Sequence, residues 1–324
     1  MKNYKSIFLG TVCVAGLGLT ACITLGSDDS IRAKEMKPHV LSMTVTPEVP
    51  SKLDFCGEEV DLTRYNMHEA LDRELSSFTY FHSTTMLLIK RANRYFPIIE
   101  PILKKNGIPD DFKYLAVIES NLDPRIQSRA KAVGMWQILE ATGREYGLNI
   151  TPTVDERCNV EKATEAACKY LKDAYEKYGN WPSVAASYNG GMGRISGELV
   201  KQKTDNYFDL WLVEETTRYV YRIMAIKQIF ENPYKYGFVL KASDLYKPIA
   251  CDVYEVNSDI QDLAEFAVDH KITYADLKRF NPWLRDRKLV TQGKTYKLMI
   301  PSKADMYYNT ANTYVHNPAW VVAE

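Results

Sequence analysis

From Pro109 to about Phe230 the sequence consists almost entirely of segments with helical periodicity, separated by glycine and proline. Apolar and tyrosine side chains recur there every three to four residues, for example at Leu171, Tyr175 and Tyr178, and at Tyr219, Ile223, Ile226 and Ile229. Residues at this spacing share one face of a helix, and that face must be covered by other helices. The pattern therefore predicts an all-α domain.

The two segments before this domain differ from each other. Residues 61–107 have helical spacing and predict two or three helices, with Pro97 interrupting the pattern. Residues 23–60 are polar, contain Pro38, Pro47 and Pro50, and show no sustained period. We expect residues 23–60 to form a linker with little structure.

The C-terminal part has a different texture. A strand pattern at Tyr254–Val256 is followed by helical patterns over 260–268 and 274–280 and by a second strand pattern over 296–300. We predict a βααβ module over residues 253–302, which residues 239–252 link to the helical domain. Its expected core consists of Val256, Leu263, Ala264, Ala267, Leu277, Leu298 and Ile300. Residues 303–324 form a tail without an assigned structure.

The N-terminus has the layout of a secretory signal over residues 1–22. Lys2 and Lys5 precede a mostly apolar run from Ile7 to Leu19, and Leu19-Thr20-Ala21-Cys22 resembles a bacterial lipobox. We therefore predict a lipoprotein of the cell envelope, anchored to a membrane through Cys22. A plain cleaved signal or an uncleaved anchor is the alternative, and both leave the rest of the chain outside the cytoplasm.

Charge and cysteine usage limit the partners. Lys plus Arg equals Asp plus Glu, 41 of each, and no dense basic run occurs, so a nucleic-acid partner is not expected. The histidines are isolated, and the cysteines outside the signal lack metal-ligand spacing: Cys56, Cys158, Cys168 and Cys251. We expect no metal site, and either one or two disulfides or free buried thiols.

One acidic residue lies in an apolar stripe. Pro109 begins a predicted helix that runs to Asp123-Pro124, and Phe112, Leu115, Ala116 and Glu119 fall at positions i, i+3, i+4 and i+7. Glu119 should therefore point inward, and burial raises the pKa of a carboxyl group toward the range of a general acid. The alternative is a glutamate turned to solvent or paired with Arg125.

Four segments resemble, in order and spacing, motifs of the membrane-bound lytic murein transglycosylase D family, whose catalytic domain has a goose-type lysozyme-like fold. These segments are Glu119-Ser120, Gly134-Met135-Trp136-Gln137, Ala186-Ser187-Tyr188-Asn189-Gly190-Gly191 and Glu215-Thr216-Thr217-Arg218-Tyr219-Val220. The resemblance covers residues 108–238. It implies a mainly α protein, with a lysozyme-like catalytic domain followed by the small α+β module.

The resemblance also implies roles for individual residues. Glu119 is the expected catalytic acid and base, with Tyr219 near its carboxyl group. The other expected substrate-site residues are Ser120 and Ser128 as hydrogen-bonding supports, Gly134 as close backbone, Met135 and Gln137 as groove lining, and Tyr188 and Asn189 as contacts of the reacting sugar.

The implied function is cleavage of peptidoglycan glycan strands between N-acetylmuramic acid and N-acetylglucosamine, without water or a cofactor, to leave 1,6-anhydromuramic acid ends. A two-carboxylate hydrolase needs a second acid, for which Asp123 is the nearest in sequence. A lysozyme-type hydrolase and a non-catalytic peptidoglycan-binding protein are the alternatives.

The βααβ module resembles a LysM domain. The similar positions include Tyr254, Val256, Asn281-Pro282 and Leu298-Met299-Ile300-Pro301, whereas Asn257-Ser258-Asp259-Ile260 departs from the usual Gly-Asp-Thr-Leu segment. The implied role is glycan binding that tethers the enzyme to its substrate.

Overall fold

The computed structural model describes residues 44–309 and 313–322. The predicted signal segment and Cys22 lie outside the described residues. The described residues from Thr46 onward belong to one compact unit. Within the described ranges, no helix is both long enough and apolar enough to cross a bilayer.

Two long helices precede the central region, as the periodicity predicted: α1, Tyr65–Tyr80, and α2, His82–Lys105. The expectation that Pro97 interrupts the second pattern was wrong, because α2 continues through both Pro97 and Pro101. Proline removes a backbone donor from a helix. The buried face of α2, which includes Phe96, Ile99 and Leu103, packs into the main core and offsets that loss.

A β-hairpin occupies the end of the segment for which we expected little structure. Strand β1, Lys52–Phe55, pairs antiparallel with β2, Glu58–Asp61, and Leu53 is paired with Val60. Cys56 and Gly57 form the turn with φ of 60° and 84°, the backbone of a tight hairpin. The prediction was wrong here because strands of four residues are too short to show a period, although Leu53, Phe55, Val60 and Leu62 are buried.

The helices of the central region are α3, Lys113–Ser120; α4, Glu140–Glu145; α5, Val160–Tyr178; α6, Trp181–Gly190; α7, Met192–Gln202; and α8, Glu214–Glu231. Helices α3 and α6 pack against α8, whereas α5 and α7 pack against α6. Helix α3 follows a 3-10 turn at Asp110–Phe112. It ends at Ser120 rather than at Asp123, because Asn121 and Leu122 have φ of 53° and 56°, outside helical backbone space.

The C-terminal module has the predicted βααβ order. Strands β3, Cys251–Val256, and β4, Tyr296–Pro301, are antiparallel and enclose α9, Leu263–Asp269, and α10, Tyr274–Phe280. The predicted core residues are buried except Ala264, which is partly exposed. The mainly α fold class with a small α+β module is thus confirmed.

The link and the tail both pack on the helical domain. Leu240 and Leu245, in the predicted linker 239–252, are buried. In the tail, Trp320 packs against Phe230 with 5.6 Å between ring centroids, and its indole Nε1 donates to the Phe230 carbonyl at 2.9 Å. The residues before and after the module therefore hold it at both ends.

Candidate active site

Glu119 lies in the last turn of α3, opposite α8. The hydroxyl group of Tyr219, which is buried in α8, donates a hydrogen bond to Glu119 Oε1. Glu119 itself keeps part of its surface exposed, which leaves it within reach of a ligand. The carboxyl group is thus held by a neutral phenol and not by a cation.

Burial raises the pKa of the Glu119 carboxyl group to about 7. The Tyr219 hydrogen bond and the positive charge of Arg222 act in the opposite direction, whereas the negative charge of Glu215 adds to the increase. Burial and the charge of Glu119 in turn raise the pKa of the Tyr219 hydroxyl well above its ordinary value. At neutral pH the pair therefore contains a neutral phenol and a carboxyl group close to half protonated.

Two side chains at the end of α6 are fixed toward the same region. The Tyr188 hydroxyl donates to the Trp136 carbonyl at 2.7 Å, and burial together with the Glu119 charge raises its pKa. The amide of Asn189 donates to Glu215 at 3.1 Å and accepts from the Thr216 hydroxyl at 2.8 Å. The start of α8 therefore orients Asn189, and the backbone of Trp136 orients Tyr188.

The Gly134–Gln137 segment belongs to a tight loop. Gln137 has φ of 47°, and its side-chain amide donates to the carbonyls of Gly134 at 2.8 Å and Ile126 at 3.2 Å. Met135 is fully buried, so it packs in the core and does not line an open groove as expected. The thioether side chain of Met135 is apolar, so it is suited to a buried position.

The structure shows why position 134 must be a glycine. Its φ is +86°, and a Cβ atom there would lie 1.9 Å from the carbonyl oxygen of Arg157. Glycine is required because another segment of this chain approaches it. The expected approach of a glycan to the Gly134 backbone therefore remains a prediction.

The two serines are bonded to backbone. Ser120 is buried and its hydroxyl donates to the Ala116 carbonyl at 3.1 Å, within α3. Ser128 is exposed, and its hydroxyl accepts from the Ala132 amide at 3.1 Å. These hydroxyls stabilise the helix end and the loop, and their expected support of Glu119 remains a prediction.

Asp123, the nearest acid in sequence, is engaged elsewhere. Arg125 donates to both of its carboxylate oxygens, at 3.1 and 3.2 Å. Burial raises the pKa of Asp123, but the hydrogen bonds and charge of Arg125 outweigh burial and hold the pKa below its usual value. A carboxylate bound in this way is a poor candidate for a second catalytic acid.

Sequence reasoning assigned no role to Glu215, Thr216 or Arg222. Glu215 and Arg222 lie four residues before and three residues after Tyr219, so they share its face of α8. That spacing was a usable signal, once Tyr219 was placed next to Glu119.

The structure also bears on disulfides and metal binding. Cys56, Cys158, Cys168 and Cys251 are unpaired. Burial raises the pKa of Cys158 to about 11 and that of Cys168 to about 12, so both thiols are protonated at neutral pH. Among the residues that the structure describes, no group of histidine, cysteine and acidic side chains could hold a metal ion.

Comparisons with protein families match two parts of the chain. Residues 96–210 match the transglycosylase SLT domain, and residues 252–304 match the soluble lytic transglycosylase C-terminal LysM-like domain. The first match contains Glu119, Gln137 and Asn189, and the second contains the βααβ module.

The chain is similar to several known proteins. It is 30% identical over 257 residues to membrane-bound lytic murein transglycosylase D of Escherichia coli (strain K12), covering 77% of this chain and 55% of the relative. It is 28% identical over 151 residues to membrane-bound lytic murein transglycosylase C of Photorhabdus laumondii, covering 40% and 42%. The chain thus spans about half the length of these relatives. Among solved structures, the chain is similar to the 70 kDa soluble lytic transglycosylase from Escherichia coli. The sequence identity is 22% and the TM-score is 0.39, and the match covers 44% of this chain and 24% of that chain.

Proposed function

Because residues 96–210 form a transglycosylase SLT domain and residues 252–304 form a LysM-like domain, we propose that this chain is a peptidoglycan lytic transglycosylase. Its substrate is the β-1,4 bond between N-acetylmuramic acid and N-acetylglucosamine. The product carries a 1,6-anhydromuramic acid end. The observation that carries the proposal is the Glu119 carboxyl group, enclosed beside Tyr219 with a pKa of about 7.

Glu119 acts twice in the proposed reaction. Its protonated form gives the proton to the glycosidic oxygen as the bond from that oxygen to C1 of N-acetylmuramic acid breaks. The 2-acetamido oxygen of the same sugar supports the positive charge that develops at C1. The Glu119 carboxylate then takes the proton of the C6 hydroxyl group, whose oxygen bonds to C1. The proton balance closes, and water is not consumed.

A pKa of about 7 suits both halves of this cycle, because a group near half protonation gives and accepts a proton with similar ease. Tyr219 contributes by stabilising the carboxylate that forms after the first transfer. Asn189 and Tyr188, whose positions are fixed by hydrogen bonds to protein groups, are proposed to contact the reacting sugar.

The test is a digest of purified sacculi by the wild-type protein and by Glu119→Gln, with the fragments identified by mass spectrometry. Glu145→Gln is the matched control, because Glu145 is an exposed glutamate at the end of α4. We expect anhydro ends from the wild type and the control and none from Glu119→Gln. Reducing ends would indicate a hydrolase, and the absence of release by the wild type would indicate a binding protein.

We also propose that the protein is exported and anchored in the cell envelope through lipidated Cys22. The support is the lipobox-like Leu19-Thr20-Ala21-Cys22 after an apolar run. Cells expressing the full chain or Cys22→Ser are fed an alkyne fatty acid. Label on the wild type that is lost in Cys22→Ser supports lipidation, and equal labelling of both contradicts it.

A further inference from the structure

The βααβ module is joined to the helical domain by backbone hydrogen bonds. Val154 forms an antiparallel bridge with Leu284. The Asp155 amide donates to the Trp283 carbonyl at 2.8 Å, and the Arg285 amide donates to the Thr153 carbonyl at 2.9 Å. Such a connection fixes both the distance and the orientation of the two backbones.

The two parts also share a hydrophobic core. Val133, Val154 and Cys158 of the helical domain belong to the same buried cluster as the module's own core side chains, among them Leu277, Leu284 and Leu298. The side-chain amide of Asn149 donates to the Tyr296 hydroxyl, and Val290 donates to the Thr153 hydroxyl at 3.3 Å. A module held by a flexible linker alone would have none of these contacts.

The segment that receives the module continues directly into Arg157. This side chain is buried, and it binds the Asp155 carboxylate through two nitrogens at 2.9 and 2.8 Å. Its remaining nitrogen, Nη1, donates to the carbonyls of Lys131 and Ile138, both at 3.2 Å. Arg157 therefore connects the docked segment to both ends of the loop that contains Gly134 and Gln137.

The loop is in turn connected to the candidate active site. The backbone of Gly134 lies against the Arg157 carbonyl, at a distance that excludes a side chain at position 134. On the other side of the loop, the Trp136 carbonyl accepts the Tyr188 hydroxyl. The contacts thus run from the module through residues 153–157 and the loop to Tyr188.

We infer that the LysM-like module is a fixed scaffold for the loop over residues 126–138 of the helical domain, and that Arg157 is a positioning residue that connects the two. Arg157 reaches no substrate itself, and acts through Lys131, Ile138 and Gly134. The role in turnover rests on the proposed function, whereas the ordering of the loop does not. This scaffold role differs from tethering, which requires only that the module bind glycan.

Two variants of the full chain test the inference. Arg157→Lys removes the planar guanidinium group, which binds Asp155 and the two loop carbonyls at the same time. The single ammonium group of lysine cannot reach all of these acceptors in the same geometry. Leu284→Ala weakens the module side of the bridge and of the shared buried cluster, and it leaves Arg157 unchanged. Arg279→Lys is the matched control, because Arg279 is an exposed arginine in α10 whose partner, Asp276, is in the same helix.

The first measurement is amide hydrogen exchange of residues 126–138. We expect exchange to be about tenfold faster in Arg157→Lys and in Leu284→Ala than in the wild type and Arg279→Lys, because the loop opens more often. This measurement needs no activity, so it decides the structural half even if the chain does not cleave peptidoglycan. Unchanged exchange in both variants overturns the inference.

The second measurement compares a short soluble glycan with whole sacculi. A tether raises the local concentration of a long substrate only, whereas a misplaced loop slows turnover of any substrate. We expect kcat on the short glycan to fall at least about tenfold in Arg157→Lys and Leu284→Ala, because a misplacement of about 1 Å at a site can cost about a hundredfold. If both variants keep the wild-type kcat on the short glycan and are slower only on sacculi, the module acts as a tether. That result overturns the scaffold role.

Discussion

The Tyr219 hydroxyl donates its hydrogen bond to Glu119 Oε1 across the contact between α8 and α3. Burial raises the pKa of the Glu119 carboxyl group to about 7, and the hydrogen bond from Tyr219 acts in the opposite direction by favouring the carboxylate. Tyr219 therefore sets the protonation of Glu119 at neutral pH, and removing its hydroxyl has a predictable sign.

The pH dependence of cleavage follows from this pair. As the pH rises through about 7, Glu119 loses the proton that it must donate, so kcat/KM of the wild type falls. Tyr219→Phe removes a hydrogen bond that favours the carboxylate, so the Glu119 pKa rises and the fall moves to higher pH. The measurement is a pH profile of kcat/KM on soluble glycan fragments.

Tyr221→Phe is the control for this profile, since it makes the same change in a buried tyrosine two residues along α8. We expect its profile to coincide with the wild type. A Tyr219→Phe profile that keeps its midpoint or moves to lower pH contradicts the prediction.

Glu119 also makes stability depend on pH. Its pKa is about 7 when folded and 4.5 in an ordinary environment, so between these values the folded state retains a proton that the unfolded state releases. The wild type therefore loses up to about 3 kcal/mol of unfolding free energy as the pH rises from 4.5 through 7. Glu119→Gln lacks this loss, so the variant gains stability relative to the wild type over that window.

Urea unfolding of both proteins at pH 4.5 and pH 8 measures this gain. The expected result is a larger stability difference in favour of Glu119→Gln at pH 8 than at pH 4.5. An identical difference at the two pH values would show that Glu119 is not buried as a protonated group.

Gly134→Ala tests the close contact with Arg157. Two costs add: a left-handed backbone at φ +86°, and a Cβ atom 1.9 Å from the Arg157 carbonyl oxygen. Gly179→Ala is the matched control, because it has φ of +67° with no atom within 4 Å of the added Cβ. We expect Gly179→Ala to cost about 1 kcal/mol and Gly134→Ala at least about 2 kcal/mol more, in denaturant unfolding. Equal losses of unfolding free energy in Gly134→Ala and Gly179→Ala would show that the contact with the Arg157 carbonyl does not restrict position 134.

Lys227 tests how the hairpin is held. This buried lysine in α8 donates to Asp111 Oδ2 at 2.7 Å and to the Asp54 carbonyl at 2.8 Å, and the Cys56 amide also donates to Asp111. Lys227→Met leaves Asp111 without its cation and should cost about 3 kcal/mol of unfolding free energy.

Lys235→Met is the comparison for this change, because Lys235 pairs with Glu48 on the surface. Surface pairs contribute about 1 kcal/mol or less. A cost for Lys227→Met no larger than that of Lys235→Met would contradict the prediction.

Short-range information in the sequence determined the helices and the orientation of Glu119. The 3.6-residue period that makes α2, α5 and α8 amphipathic is visible along the chain, and so is the position of Glu119 in the apolar stripe of α3. The βααβ order was also predictable, because each of its elements is a separate run with its own period. The ordered motifs added the family resemblance, which the domain matches confirm.

Only the tertiary structure decided which distant groups meet. Glu119 and Tyr219 are 100 residues apart, Gly134 depends on the carbonyl of Arg157, and Trp320 completes a cluster around Phe230. The bridge between Val154 and Leu284 likewise joins segments with no shared period. Such contacts leave no local signature, because their free energy comes from burial and hydrogen bonding between segments that the chain brings together only when the whole fold has formed.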